Sequence, residues 1–251
     1  MTIKYDFHTH TKYSDGKSTM EENVLEAIKK NLDMIAITDH GPGHLFYGIK
    51  EKDILKLRKE VDLLQEKYPE IQILLGIEAN IVSIDGTIDL TDMIKENIDI
   101  LLAGYHFGSK PKIFFADMKI HICNILGLKI NYFKNKIKKD NTQMIVNAMR
   151  KNNIDVLTHP GDKGSVDIDQ VAKVAAETDT KLEINERHTH LTVEEINIAM
   201  KYNVEFIISS DAHYHEHIGV YDDAISRVNE AGLDRSRVVN YKGERNGICD
   251  Y

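Results

Sequence analysis

Residues 33–40 read DMIAITDH, an apolar and partly β-branched run that stops at an aspartate and a histidine. The same order recurs in five further segments, whose apolar runs are followed by His8 and His10, Glu78, His106, His159, and Asp211 with His213. Runs rich in Ile, Leu and Val with little alternation are typical of strands buried on both faces. Because the carboxyl ends of parallel strands lie at one edge, these side chains are predicted to meet there.

Helix-like stretches separate the predicted strands, which are expected near residues 4–7, 33–37, 72–77, 98–103, 155–157, 181–184 and 205–208. The stretch 18–31 opens with a predicted capping box, in which Ser18 is the N-cap and Glu21 follows three residues on. Strands that alternate with helices predict an α/β fold with a parallel sheet and helical cover. Seven such units in this length favour a TIM-like (β/α)7 barrel, and an open doubly wound sheet is the alternative.

Length and composition narrow the class of protein. The 251 residues are predicted to form a single domain over 1–251, and the net charge of −8 makes a nucleic-acid partner unlikely to be the main one. Cys123 and Cys249 form no disulfide framework and no Cys-x-x-Cys pair, which favours a reducing cytoplasm. The N-terminus has no apolar signal-peptide core, and no apolar run is long enough to span a bilayer, so no membrane partner is expected.

One segment breaks the alternation of strands and helices. Residues 108–139 read GSKPKIFFADMKIHICNILGLKINYFKNKIKK and carry eight lysines among large apolar side chains. We expect an irregular insertion between the fourth strand and its crossover helix, most simply an extra surface helix with a solvated lysine face. The alternative is a lid or a subunit contact that shapes substrate access. The oligomeric state is left open.

The residue types at the strand ends are those that bind divalent metals. His8 and His10 lie two residues apart on an extended segment, so both side chains point to one side, and Asp211 and His213 repeat this spacing. Glu78 offers a carboxylate, which can bridge two ions where an imidazole cannot. Imidazole and carboxylate donors without thiolates indicate Zn, Mn or Fe.

The other six histidines are expected to have ordinary structural roles. Of these, His44 lies close enough to the second strand to support the site indirectly, and His188 and His190 are placed near its mouth. The remaining three are His121, which belongs to the irregular segment, His215 and His217.

Six motifs, taken in order, resemble those of the PHP family, named for polymerase and histidinol phosphatase: DFHTHTKYSDG, AITDHGPG, GIEAN, LAGYH, THPG and SSDAH. The resemblance implies a distorted barrel of seven strands and a cluster of three divalent metal ions. It also implies the ligands His8, His10, Asp15, His40, Glu78, His106, His159, Asp211 and His213, with Glu78 bridging. Where some members have a histidine in the loop after the first motif, this chain has Asp15, a familiar substitute.

Metal ions held in this way predict hydrolysis of a phosphate monoester, because they generate hydroxide near neutral pH and clamp phosphate oxygens. We expect the catalytic residues to be Glu78, His106, Asp211 and Asp39, the last of which would orient His40 or a bound water. Arg187, just past the sixth strand, is the candidate phosphate-binding residue. The partner is therefore a small phosphorylated substrate; histidinol phosphate is the substrate for which the family is named.

Three further functions are compatible with the sequence. An amidohydrolase also begins with a His-x-His motif, but it typically needs a lysine as metal bridge where this chain offers Glu78. The second is a PHP-type nuclease, against which the acidic net charge argues. The third is a non-catalytic metal-binding PHP module, against which the full set of ligand-type residues argues.

Overall fold

Seven parallel strands form a nearly closed α/β barrel in the computed structural model, which describes residues 2–112, 114–127 and 129–242. The strands neighbour one another in chain order and are β1 Tyr5–Asp6, β2 Met34–Ile37, β3 Gln72–Asn80, β4 Ile100–Gly104, β5 Val156–Leu157, β6 Lys181–Asn185 and β7 Phe206–Ser209. All seven predicted strands are confirmed within a few residues. Cys249 lies outside the described residues.

The first and last strands approach each other, which decides between a barrel and an open sheet. Just past these strands, the backbone N–H of His10 donates to the carbonyl of Ala212 over 2.8 Å, and Thr9 forms a parallel bridge with Ala212. At the other end of the seam, Asn240 fills the gap: its side-chain amide donates to the carbonyl of Tyr5 and accepts from the N–H of Ile208. The predicted barrel, rather than the alternative open sheet, is therefore confirmed.

Helices cover the outside of the barrel. They are α1 Met20–Lys29, α2 Ile54–Lys67, α3 Asp92–Lys95, α4 Phe114–Gly127, α5 Asn131–Lys151, α6 Ile168–Thr178, α7 Val193–Ala199 and α8 Asp222–Glu230. The predicted capping box of α1 was wrong by one residue, because the N-cap is Thr19 and its partner is Glu22. Ser18 instead accepts a hydrogen bond from the backbone N–H of His215, so its hydroxyl holds a different loop.

Two apolar clusters hold the strands in place. A small one, the apolar plug, fills the barrel interior and consists of Phe7, Met34, Ala36, Leu74, Ile100, Leu102, Val156 and Ile207. A much larger one lies between the strands and the helices. Successive side chains of a strand point to opposite faces, so Glu78, four residues past Leu74, projects along the barrel axis above this interior plug. The apolar plug thus forms the floor of the space at the carboxyl ends of the strands.

The lysine-rich segment contains the extra helix that was expected, α4, which packs beside α5. Asn124 and Asn141 exchange two amide hydrogen bonds of 2.9 and 2.8 Å between these helices. The predicted crossover helix begins earlier than expected, since α5 already starts inside the segment. A role of this segment as a lid or contact stays a prediction.

Within the described part of the chain, no helix has both the length and the apolar character that crossing a membrane requires.

Candidate metal centre

All nine predicted ligands converge at the carboxyl ends of the strands, around an open cleft of about 230 Å³. Each has a nitrogen or carboxylate oxygen within 3.7 Å of another member of the set: His8, His10, Asp15, His40, Glu78, His106, His159, Asp211 and His213. Because neighbouring parallel strands end side by side, loops distant in the chain bring these side chains together.

Glu78 occupies the centre of this cluster, at the end of β3. Its Oε1 atom lies 3.1 Å from Nε2 of His106 and 3.0 Å from Nε2 of His159. Its Oε2 atom lies 3.0 Å from Nδ1 of His40 and 3.4 Å from Nε2 of His8. Each carboxylate oxygen therefore faces a different group of histidines, which is the geometry that a bridging ligand requires.

Asp211 has a similar double orientation. Its Oδ1 atom lies 3.3 Å from Nε2 of His10, whereas its Oδ2 atom lies 3.4 Å from Nε2 of His188. The backbone of Asp211 has a φ of 52° and that of His159 a φ of 27°, in the region that non-glycine residues rarely adopt. Strain of this kind collects at functional sites, where the surrounding structure holds a side chain in place.

Asp15 closes the cluster on the side of the first loop, where its Oδ2 atom lies 3.2 Å from Nε2 of His213. The loop is held from below by Asp39, whose carboxylate accepts hydrogen bonds from the backbone N–H and hydroxyl of Thr11, at 2.8 and 2.6 Å, and from the Ser14 hydroxyl. This geometry gives Asp39 a positioning role towards the loop rather than a direct approach to the cluster.

Two supporting side chains fix the ring orientations of the histidines. Nδ1 of His8 lies 2.7 Å from Glu183 on β6, and Nδ1 of His106 lies 2.9 Å from Oδ1 of Asn80 on β3. When each Nδ1–H donates to these oxygens, the lone pair of the neutral ring sits on Nε2. That lone pair faces a carboxylate oxygen of Glu78 in both cases. A lone pair against an anion is repulsive, and either a proton on Nε2 or a bound cation removes the repulsion.

A second observation also fits metal ions. Six buried atoms of the cluster have no hydrogen-bond partner among the described residues: Nε2 of His8, Nδ1 and Nε2 of His10, Nδ1 of His40, Oε2 of Glu78 and Oδ1 of Asp211. Buried polar atoms are almost always paired, so unpaired atoms concentrated in one place call for a ligand. Imidazole and carboxylate donors with no thiolate among them suit Zn, Mn or Fe.

Among the described residues, four overlapping sets of side chains bring donor atoms within 4.8 Å of one another: His10, Asp15, His40 and His213; His8, His10 and Asp211; His40, Glu78 and His106; and His159, His188 and Asp211. Of the residues in these sets, His188 alone falls outside the predicted ligands. The sequence predicts only a position near the mouth of the site for His188, because this residue does not directly follow an apolar strand run.

Electrostatics set the protonation of the metal-free cluster. Burial lowers the pKa of His10 to about 3 and that of His106 to about 4. For His40, burial acts in the same direction, but attraction to Glu78 and Asp15 outweighs it and raises the pKa to about 10. Protons therefore occupy part of the cluster at neutral pH and compete with metal ions.

The cleft has an aromatic wall and a basic rim. The wall consists of His44, which stacks on Tyr47 with ring centroids 4.9 Å apart, and of Phe107. The rim carries Arg187, whose guanidinium contacts the His213 ring, and Lys163 on the loop after β5. Lys163 was not predicted, since a single lysine in a loop carries no signal of its own.

The remaining histidines contact residues away from the cluster. His121 lies 2.8 Å from the Tyr105 hydroxyl, and His190 lies 3.2 Å from Glu195. His215 contacts Ser18, and His217 packs its ring near Tyr214.

Comparisons with known proteins agree with this geometry. The chain is 29% identical over 259 residues to a probable phosphatase of Thermoanaerobacter sp. strain X514, covering 96% of this chain and 91% of that protein. It is 28% identical over 265 residues to a probable phosphatase of Clostridium botulinum strain Langeland, covering 100% and 95% of the two chains.

Among solved structures, histidinol phosphate phosphatase from Lactococcus lactis, in complex with Zn, L-histidinol and phosphate, shares the fold. The TM-score is 0.60 at 14% identity, and the match covers 93% of this chain and 95% of that one. Residues 6–187 match the PHP domain, which is more than half of the sequence. The chain therefore belongs to the PHP domain family.

Proposed function

We propose that this protein is a metal-dependent phosphatase that hydrolyses a phosphate monoester. The observation that carries the proposal is the position of Glu78, whose two oxygens face separate groups of histidines at the floor of an open cleft. Cations at the rim of the same cleft, Arg187 and Lys163, suit a dianionic phosphate group. The names of the relatives, probable phosphatases, support the same chemistry.

Nine residues are proposed to hold three divalent ions of Zn, Mn or Fe: His8, His10, Asp15, His40, Glu78, His106, His159, Asp211 and His213. Such ions, when bound, lower the pKa of a coordinated water and neutralise the charge that grows on a phosphoryl group. Glu78 and Asp211 supply the carboxylates that link neighbouring donor sets. His106 is proposed as essential because it approaches one oxygen of Glu78 from the cleft side.

The protein's other groups bind and orient the substrate. Arg187 has a partly exposed guanidinium beside Asp211, and its planar fork matches two oxygens of a phosphate group. The plug below the cluster and the aromatic wall beside it limit the access of bulk water. Asp39 keeps the Asp15 loop in place through Thr11.

The substrate is proposed to be small. A cleft of about 230 Å³ accommodates a phosphate group with a compact leaving group, and the wall of His44, Tyr47 and Phe107 favours a flat or apolar one. Histidinol phosphate belongs in any test set, because the related Lactococcus lactis fold holds L-histidinol and phosphate. A single domain over residues 1–251 and a cytoplasmic location are further proposals, the second supported by the scarcity of cysteine.

The test is metal analysis and a substrate panel on one purified preparation. The panel contains histidinol phosphate, other phosphate monoesters and one phosphate diester. We expect bound divalent metal and release of phosphate from at least one monoester, lost on chelation and restored by Zn, Mn or Fe. Failure of the metal-loaded protein to release phosphate from any monoester would overturn the proposal, and so would cleavage of the diester alone.

A further inference from the structure

We infer that His188 is a further metal ligand, oriented by Asp162, and that it shares an ion with His159 and Asp211. The inference rests on the metal cluster of the proposed function. It concerns a residue outside the predicted motifs, on the loop that follows β6.

The geometry around the His188 ring carries the inference. Nε2 lies 3.4 Å from Oδ2 of Asp211, and Nδ1 lies 3.2 Å from Oδ2 of Asp162. The ring centroid is 4.9 Å from that of His159, and the donor atoms of His159, His188 and Asp211 lie within 4.8 Å of one another. The side chain is 23% exposed, so it lines the cleft rather than projecting into solvent.

This is the arrangement that protein metal sites use to prepare a histidine ligand. A metal-bound histidine commonly donates its other ring N–H to a carboxylate, which fixes the tautomer and the ring direction. Here Oδ2 of Asp162 lies 3.2 Å from Nδ1, so a proton on Nδ1 faces this carboxylate and the lone pair on Nε2 points towards Asp211. His190, two residues further on, instead turns to Glu195 and makes no such approach.

The carboxylate of Asp211 also fits a metal-bound His188, because its two oxygens face different neighbours. Oδ1 faces His10, and Oδ2 faces His188. With His188 as a ligand, both oxygens have a cation to bind, and Asp211 links two donor sets as Glu78 does.

The competing arrangement is a doubly protonated His188 that bridges Asp162 and Asp211 without metal. Metal binding measured without substrate separates the two. Protein stripped of metal is titrated with Zn against a chromophoric chelator, and the Co(II) form is followed by absorption spectroscopy. The variants are His188→Ala, His188→Gln and Asp162→Asn, with His217→Ala, an exposed histidine outside the cleft, as the control.

We expect His188→Ala and His188→Gln to lose one equivalent of bound metal or to bind it at least about tenfold more weakly, with a changed Co(II) spectrum. Asp162→Asn should weaken the same ion about 10–100-fold, as loss of a supporting carboxylate does. His217→Ala should match the parent. Unchanged metal content, affinity and spectrum in either His188 variant would overturn the inference.

An unfolding transition measured without metal shows whether each variant folds. If His188→Ala does not fold, His188→Gln still tests the inference. The outcome is also separable from that of the proposed function. Wild-type metal binding by a variant that loses phosphatase activity removes His188 from the ligands but leaves the phosphatase. If the parent protein has no phosphatase activity but the His188 variants lose one ion, His188 remains a metal ligand and the phosphatase proposal fails.

Discussion

The Nδ1 atom of His8 lies 2.7 Å from Oε1 of Glu183, a fully buried carboxylate inside strand β6. The other oxygen of Glu183 accepts the backbone N–H of His159, also over 2.7 Å. Burial alone would lower the pKa of His8, but the charges of Glu183, Glu78 and Asp211 raise it well above the ordinary value. One carboxylate thus orients two proposed ligands that follow different strands of the barrel.

Replacement of Glu183 by glutamine should therefore weaken metal binding without removing any ligand. The amide retains one oxygen for His8, but it loses the negative charge and presents an NH₂ group to the N–H of His159. We expect affinity for at least one ion to fall about 10–100-fold, the usual effect of changing a residue behind a metal ligand. Chelator competition measures it.

The matched control is Glu66→Gln, on the exposed face of α2. It removes the same charge from the chain without touching the cluster, so its metal affinity should equal that of the parent. Equal affinities in Glu183→Gln and Glu66→Gln would show that Glu183 does not support the metal ligands.

A second prediction concerns His106→Ala. The variant should lose at least about 100-fold in turnover, since it removes a proposed ligand rather than its support. The fold should survive, because the ring lies at the open end of the barrel, above the apolar plug. Initial rates at saturating metal and circular dichroism check both statements, and parental turnover in a folded variant would remove His106 from the site.

The strands and the proposed ligands could be predicted because one pattern identifies both. An apolar run defines the strand, and the residue after it necessarily lies at the site end, as for Glu78 and His106. Glu183 follows a different rule. It lies inside the run KLEIN, between two residues that pack outward against the helices, Leu182 and Ile184. Because side chains alternate along a strand, only this position indicates that Glu183 points into the barrel.

Side chains that reach the site from loops could not be predicted in this way. His188 and Lys163 belong to loops whose path depends on tertiary packing, so spacing in sequence says little about their direction. The shift of the capping box from Ser18 to Thr19 has the same cause. Either hydroxyl can cap a helix, and the contact of Ser18 with His215, nearly two hundred residues away, decides between them.

A third prediction concerns pH. In metal-free protein the pKa of His40 is raised to about 10 from 6.5. The protonated ring therefore stabilises the fold fully below pH 6.5, and this contribution is lost as the pH rises through about 10. Metal must displace the proton, so apparent metal affinity should increase by about tenfold per pH unit for each proton released.

Chelator competition at pH 6.5, 7.5 and 8.5 measures this dependence. The His40→Gln variant, which has no ring proton to displace, is the comparison and should show a shallower slope. A metal affinity that does not change over this range would contradict the raised pKa of His40.

Metal removal should also lower the stability of the fold, because ions that bind only the native cluster stabilise it by mass action. At free metal one hundred times the dissociation constant, each ion contributes about 2.7 kcal/mol. For a chain of this size the corresponding rise in Tm is roughly 5–10 °C. Thermal unfolding with added Zn and with a chelator measures the difference, and equal Tm values would argue against a metal-binding cluster.

Another prediction concerns Gly104, the last residue of β4. A Cβ atom there would overlap Oγ1 of Thr158 and come within 3.2 Å of Cε1 in both His106 and His159. Gly104→Ala should therefore displace the two rings, weaken metal binding and destabilise the fold by about 1–3 kcal/mol. Gly232→Ala is the control: its Cβ meets no described atom within 4 Å, although its φ of 64° disfavours a side chain.

These two variants separate strain from metal binding. Both should lower the free energy of unfolding in chelator, but only Gly104→Ala should also reduce metal content. Full metal content in Gly104→Ala would mean that the rings of His106 and His159 move without cost.

The last prediction concerns Arg187, which lies at the rim with Nη1 3.4 Å from the carbonyl oxygen of Asp211 and 3.7 Å from its Oδ1 atom. A hydrogen bond to a charged group contributes about 1.5–3 kcal/mol, so Arg187→Ala should lower kcat/KM about 10–150-fold. Inorganic phosphate should inhibit the variant correspondingly less. Arg187→Lys should recover only part of the lost kcat/KM and phosphate inhibition, because an ammonium group keeps the charge but lacks the planar fork of the guanidinium.

Arg150→Ala, which breaks an exposed ion pair with Glu177, is the matched control and should leave kcat/KM and phosphate inhibition unchanged. Metal content distinguishes the two ways in which Arg187 can act. A loss of phosphate affinity at full metal content is expected of a phosphate-binding residue. A loss of metal instead would assign Arg187 to the support of Asp211 and His213, and parental inhibition constants in Arg187→Ala would remove it from the phosphate site.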